Sequence, residues 1–401
     1  MENCIREFID TFEKNKKEYK EYNDEFFGKR LEKYTPTEIH LKYQEVVLKI
    51  KDYVKQFLQP PITKEKVGII KYFLDEYDFL LTKAVKSIIN FKIYLDKYKI
   101  CDNTFLKNIV EIISGTLFLF QGKIENYDLM EKVMYMWCIV DNIVDEEHLR
   151  KHRKKLIPLG KFFKNEIYKK PKQDIEKYLK SKGDDILLNI VSDVYKIIDY
   201  DKTILFFEKT AKLFKYSYIE DTVENKKNPT FEEILKNSCM KGLLTFDIFF
   251  TTTSIQKDVD LPMYCMTTQL WDDLYDLRED MKNNSNTIFT ISDELDRSIL
   301  FITLCELTRE KVKIYNDYLF STNFIFLEDR HLFHPKLMEE IDKVSPMEDI
   351  NILRSSVTNI LEDENFYKLF EDENLINNIE KFEFKSQEEF IEQFKKLSTK
   401  E

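Results

Sequence analysis

Glycine and proline are scarce in this chain, with 7 and 9 among its 401 residues. A sheet-rich fold draws on both for its tight turns, so their scarcity points to an all-α fold. Histidine is equally thin, at 5 residues, and none neighbours a serine or cysteine in a nucleophile pattern. Histidine-assisted nucleophilic catalysis is therefore not indicated. The cysteines, Cys4, Cys101, Cys138, Cys239, Cys265 and Cys305, are scattered without a CxxC pair. That spacing suggests neither a zinc site nor a disulfide framework and fits a reduced, cytoplasmic protein.

Positive charge is in deficit: the formal net charge is −11 and the sequence pI is near 5.3. A chain whose main partner is nucleic acid needs the opposite balance, so no nucleic acid is expected. Long apolar runs are missing as well. The most apolar windows, such as "IVEIISGTLFLF" at 109–120, fall short of the roughly 20 residues that span a bilayer, and no transmembrane segment is expected. The opening "MENCIREFIDTFEKNKKEYK" carries charge throughout and lacks the apolar stretch of a signal peptide.

What the chain does hold is a large apolar stock, 43% hydrophobic and 14% aromatic, enough for a sizeable core. It is spaced for helices. The stretch "VGIIKYFLDEYDFLLTKAVKSIINFKIYL" at 67–95 repeats apolar residues at three- and four-residue steps, and strand-type alternation is rare. Breaks at "QPPITKE", "KSKGDD", "NKKNPT", "DVDLPM", "NNSNT" and "LFHPK" help to cut it into roughly ten helical segments. There is no fixed-period repeat and no low-complexity linker. The expected organisation is a helical extension over 1–60, a single large helical bundle over 61–320, and a C-terminal helical segment over 321–401 packed on the bundle.

Two acidic clusters stand out against this background. In "WCIVDNIVDEEHL", Asp141 and Asp145 are four apart with Glu146 beside them, directly after an apolar run. In "TTQLWDDLYDLREDMKNN", residues 267–284, Asp272, Asp276 and Asp280 stack at helical spacing on one face, with Asp273 adjacent. Like charges four apart destabilise a helix by about 0.2–0.5 kcal/mol per pair. Continuing the faces of helices whose preceding turns look buried, these carboxylates need a compensating cation. Oxygen donors with no Cys or His in the set suit Mg²⁺, with Mn²⁺ the alternative, and Mg²⁺ leaves positions for water and substrate phosphates.

The second cluster, "QLWDDLYD", resembles the Q-x-x-D-D-x-x-D motif of trans-isoprenyl diphosphate synthases through Gln269, Asp272, Asp273 and Asp276. The overlapping "DLRED" is similar to the D-x-x-E-D of squalene and phytoene synthases. The first cluster, "VDNIVD", is similar to the first motif of both groups, with Asn142 where the elongating enzymes usually carry a second Asp. "MKGLLTF" resembles their lysine motif through Lys241, with Gly242 in place of its Thr. The resemblance covers about residues 105–290. It implies a class I isoprenoid synthase bundle in which both clusters bind Mg²⁺ that holds an allylic prenyl diphosphate, and homodimers are usual in that superfamily.

Metal and basic residues stabilise diphosphate as it leaves, and the carbocation left behind needs aromatic faces that attract cations without donating a nucleophile. Trp137, Phe246 and Phe250, with Phe118 and Trp271, are the aromatic candidates near the clusters. Lys241, Arg278 and Lys282 are the basic ones. The run "RKHRKK" at 150–155 and "GKRL" at 28–31 read as solvated and coincidental, respectively. Elongation needs a second phosphate site, and the adjacent Arg-Arg-Gly of the elongating enzymes is missing. The leading expectation is therefore a class I terpene synthase acting on farnesyl or geranylgeranyl diphosphate. A chain-elongating or head-to-head trans-prenyltransferase is the alternative, and a non-catalytic helical interaction protein the reading from another class.

Overall fold

The computed structural model describes residues 2–32, 87, 90–100, 126–145, 154–156, 159–161, 177, 185–198, 200–224, 228–253, 260–311 and 330–344. These residues are helices and turns with no strand among them, as the scarcity of glycine and proline predicts. Among the described residues, no helix is long and apolar enough to cross a membrane. Most of the periodic stretch 67–95 lies outside them.

The chain divides into two compact units, one of residues 1–40 and 128–354, the other of residues 41–127 and 355–401. In the second, Phe91 and Leu95 are buried on one helical face. That helix stops where Lys99 enters the left-handed region at φ 54° and the Ile100 N–H turns back to the Leu95 carbonyl at 3.3 Å.

The first unit carries both acidic clusters and Lys241. Its helices are α1 (Glu2–Tyr22), α2 (Glu25–Leu31), α3 (Tyr127–Asp145), α4 (Ile186–Ile197), α5 (Tyr200–Glu224), α6 (Phe231–Thr253), α7 (Leu261–Tyr275), α8 (Leu277–Asn283), α9 (Glu294–Lys311) and α10 (Pro335–Val344). Their ends follow local chemistry. At the head of α6, Thr230 and Glu233 form a reciprocal capping box, the Glu233 N–H donating to Thr230 Oγ1 and the Thr230 N–H to Glu233 Oε2. Asp185 and Asp260 cap α4 and α7 by accepting the N–H groups of Leu187 and Met263. Asn23, Asn228 and Asn284 take positive φ in three of the turns, a conformation asparagine tolerates better than most residues.

Helix α6 packs against α5 on one side and α7 on the other, and α7 packs on to α9. Between α7 and α9, Trp271 is fully buried, meets Phe301 edge to face at 5.8 Å and donates Nε1–H to Thr308 Oγ1 at 3.0 Å. Burial of a large apolar side chain of this kind stabilises by about 1.5–3 kcal/mol. Helix α1 lies along α9 through polar contacts: Asn15 Nδ2 donates to Glu306 at 2.9 Å and Lys16 pairs with Asp296 at 2.7 Å, while Arg30 Nη1 of α2 donates to the same Glu306 at 2.6 Å. The "GKRL" stretch is consumed by this packing. Arg30 bridges Glu18 and Glu306, while Lys29 covers the Tyr22 ring.

The stacked face of carboxylates expected through Asp280 is interrupted. Helix α7 stops at Tyr275, Asp276 adopts φ −86° and ψ 6°, and α8 begins at Leu277. Backbone bonds still run from the Asp276 N–H to Asp272 and from the Asp280 N–H to Asp276, so the chain kinks without separating. Aspartate is a poor helix former, and three of them at four-residue steps repel along the shared face.

Candidate functional site

Three helices bring the two acidic clusters and the lysine together. Lys241, near the middle of α6, places Nζ 3.1 Å from Oδ1 of Asp141 on α3. From α7, Gln269 donates both amide hydrogens to its own cluster, at 3.1 Å to Asp272 Oδ2 and 3.2 Å to Asp273 Oδ1. From α6, Ser238 Oγ donates to Asp273 Oδ2 at 3.0 Å. Asp141 and Asp272, far apart in the chain, are near enough for each carboxylate to feel the other's charge.

Glycine makes the approach of α6 to α7 feasible. A Cβ on Gly242 would stand 2.4 Å from the Cys265 carbonyl oxygen and 3.0 Å from Gln269 Cβ, and backbone on a packed helix cannot yield that far. The residue that departs from the lysine motif is thus the one that lets Ser238 and Lys241 reach α7.

The electrostatics follow from this crowding. Asp272 is exposed to solvent on α7, beside the buried Asp273 and within reach of the Asp141 and Lys241 charges. Burial, and then the Asp141 charge, push its carboxyl up to about 7, against the opposing pull of Lys241 and Gln269. Asp273 is buried, and burial raises its carboxyl too, with Gln269, Lys241 and Ser238 opposing. Asp141, Asp272 and Asp273 carry more negative charge than Lys241 alone balances, and a divalent cation would relieve it.

Aromatic rings meet between the same three helices. Trp137, one turn before Asp141, meets Phe246 edge to face at 4.8 Å, and Phe246 meets Tyr264 at 4.9 Å. Each ring comes from a different helix of the three that carry the acidic clusters and Lys241. Sequence spacing singled out Trp137 and Phe246 and missed Tyr264, because its membership depends on how α7 is rotated.

Trp271 is a correction to the aromatic candidates: it faces α9, on the far side of α7 from the Ser238 and Gln269 contacts. Asn142 also turns away. It is buried and donates Nδ2–H to the Cys138 carbonyl on its own helix at 2.8 Å. Asp276 and Arg278 are exposed around the kink, with Asp280 half-buried and Lys282 exposed on α8. Glu146 and Phe118 lie outside the described residues, as do the side chains of Asp145 and Phe250. Lys155, at the end of the "RKHRKK" run, pairs with the capping residue Asp185.

The donor set fits Mg²⁺ in kind. Asp141 and Asp272 offer carboxylate oxygens from two helices, and Mg²⁺ typically takes one or two carboxylates and completes its shell with water and phosphate. Among the described residues, no three His, Cys, Asp or Glu side chains are arranged to hold a metal by themselves. No family model, curated protein or solved structure matches the chain.

Proposed function

We propose that the chain is a Mg²⁺-dependent class I terpene synthase that ionises an allylic prenyl diphosphate of farnesyl or geranylgeranyl length. The observation that carries this reading is the convergence of Asp141 and Asp272 from distant segments of the chain, with Lys241 paired to the first and its charge acting on the second.

In this reading Asp141 and Asp272 would hold Mg²⁺, which when bound would supply charge neutralisation for a departing diphosphate. The Lys241 ammonium donates to a phosphoryl oxygen, a role for which its burial beside the carboxylates prepares it. Gln269 orients Asp272 by its amide. Trp137, Phe246 and Tyr264 turn aromatic surface towards the region where the prenyl chain would lie, stabilising positive charge without offering a nucleophile.

A single-substrate reaction fits better than chain elongation, because Asn142 is turned into its own helix and, among the described residues, Lys241 is the cation acting on Asp272. The test is incubation of purified protein with Mg²⁺ and geranyl, farnesyl or geranylgeranyl diphosphate, each with and without isopentenyl diphosphate. Hydrocarbon or alcohol from one allylic substrate alone, lost in Asp141→Ala and Asp272→Ala, is the expected result. A longer diphosphate formed only with isopentenyl diphosphate would replace this reading with prenyl transfer. No turnover of any substrate would leave a helical interaction protein as the better account.

A further inference from the structure

Adjacent aspartates in an acidic cluster invite the assumption that both are metal ligands. Their surroundings here differ. Both oxygens of Asp273 already accept hydrogen bonds, Oδ2 from Ser238 and Oδ1 from Gln269, and the residue is only 9% exposed. Asp272 accepts through Oδ2 alone, from the same Gln269 amide, and among the described residues its Oδ1 has no hydrogen-bond partner.

The bonds form a chain across two helices. Ser238 on α6 holds Asp273; Asp273 and Asp272 share the Gln269 amide; the amide in turn holds the exposed Asp272. An exposed aspartate has three staggered χ1 rotamers and a broad χ2, so a carboxylate meant to meet a cation loses affinity unless something selects its rotamer. The Gln269 amide can do so only while its second hydrogen is engaged, which is the part played by Asp273. Asp273 in turn is kept in place by the Ser238 hydroxyl one turn before Lys241.

We propose that Asp273 is no metal ligand but the buried arm of a bracket, and that Ser238 is a positioning residue that presents Asp272 to the cation through Asp273 and Gln269. The inference rests on the metal-binding reading above and adds a residue that no acidic motif contains. It also divides the second cluster into one carboxylate that binds and one that braces.

The two roles separate under isosteric substitution. In Asp273→Asn the carboxamide oxygen still accepts from Gln269, and its N–H₂ donates to the Ser238 hydroxyl, so the bracket survives without the charge. In Ser238→Ala the bracket loses its anchor, while Ser238→Thr restores a hydroxyl. The readout is Mn²⁺ binding in the presence of inorganic pyrophosphate, followed by electron paramagnetic resonance of free Mn²⁺, with circular dichroism as the check on folding.

Asp273→Asn is expected to keep Mn²⁺ affinity within about threefold and Ser238→Ala to lose about tenfold, the range typical of partners that orient metal ligands. Ser238→Thr should recover most of that loss, and Asp272→Asn should abolish binding. Loss in Asp273→Asn as complete as in Asp272→Asn overturns the proposal by making Asp273 a ligand. Unchanged affinity in Ser238→Ala overturns it by making the hydroxyl a mere helix tie. If the unsubstituted protein binds no Mn²⁺ with pyrophosphate, the metal-site reading itself falls and the bracket with it, an outcome seen before any substitution is made.

Discussion

Lys241 Nζ and Asp141 Oδ1, 3.1 Å apart across α6 and α3, form the ion pair that holds the two acidic clusters in one place. The lysine also opposes the upward shift of the Asp272 carboxyl. Removing it takes away a positive charge that acts on both carboxylates.

Lys241→Met should therefore destabilise the metal-free protein, by about 1–3 kcal/mol once the exposure of Asp141 is discounted from the penalty for breaking a fully buried pair. Urea denaturation in the presence of a chelator measures it. The loss should shrink at pH 5.5, where Asp272 is protonated. A loss independent of pH would place the effect in packing instead.

Asp272 carries a pH dependence of its own. Its folded carboxyl is raised from 3.8 to about 7, so the folded chain binds more protons than the unfolded one between those values. The stability linked to this group is full below pH 3.8, falls as the pH rises through about 7 and is flat above. With solvent screening on its open side, the metal-free protein at pH 8 should lack on the order of 1 kcal/mol of this group's contribution relative to pH 5.5. Asp272→Asn should remove that component of the slope and raise the thermal midpoint at pH 8; an unchanged difference between the two pH values would refute the assignment.

Gly242→Ala tests the close approach of α6 and α7. With the new Cβ at 2.4 Å from the Cys265 carbonyl, the helices must part. Overpacking of this kind costs about 1–3 kcal/mol, and it should lengthen the Ser238 to Asp273 bond. A fall in thermal midpoint together with weakened Mn²⁺ and pyrophosphate binding is expected, and full retention of both would show that the interface has slack.

The two tryptophans should behave differently. Trp271→Phe removes the hydrogen bond to Thr308 and should destabilise by about 1–2 kcal/mol while leaving prenyl diphosphate kinetics unaltered. Trp137→Leu removes a ring beside Phe246 and should change the product mixture or kcat more than the thermal midpoint. Thermal unfolding and product analysis of both variants separate packing from site.

Much of this arrangement was readable in advance. The 3.6-residue spacing and the few glycines and prolines predict helices, and the breaks at "NKKNPT", "DVDLPM" and "NNSNT" coincide with a left-handed Asn228, the capping Asp260 and a left-handed Asn284. Those are local matters of backbone and capping, which neighbouring residues settle among themselves. The acidic clusters, Gln269 and Lys241 were likewise visible as motifs.

Which side of each helix meets which neighbour was not. Tyr264 and Ser238 carry no motif, and Trp271 reads as well as Trp137 when only spacing is considered. Their roles depend on the rotation of α7 between α6 and α9, set by the fit of Gly242 against Cys265 and of Trp271 against Phe301. By itself, then, the sequence determined that this protein is helical, where several helices begin and end, and which residues form the two acidic clusters. Tertiary packing alone decided that Asp141, Lys241 and Asp272 meet, that Asn142 turns away and that Asp273 is braced from a neighbouring helix. The physical reason is that capping and periodicity act over a few residues, whereas close packing is a property of surfaces brought together from distant parts of the chain.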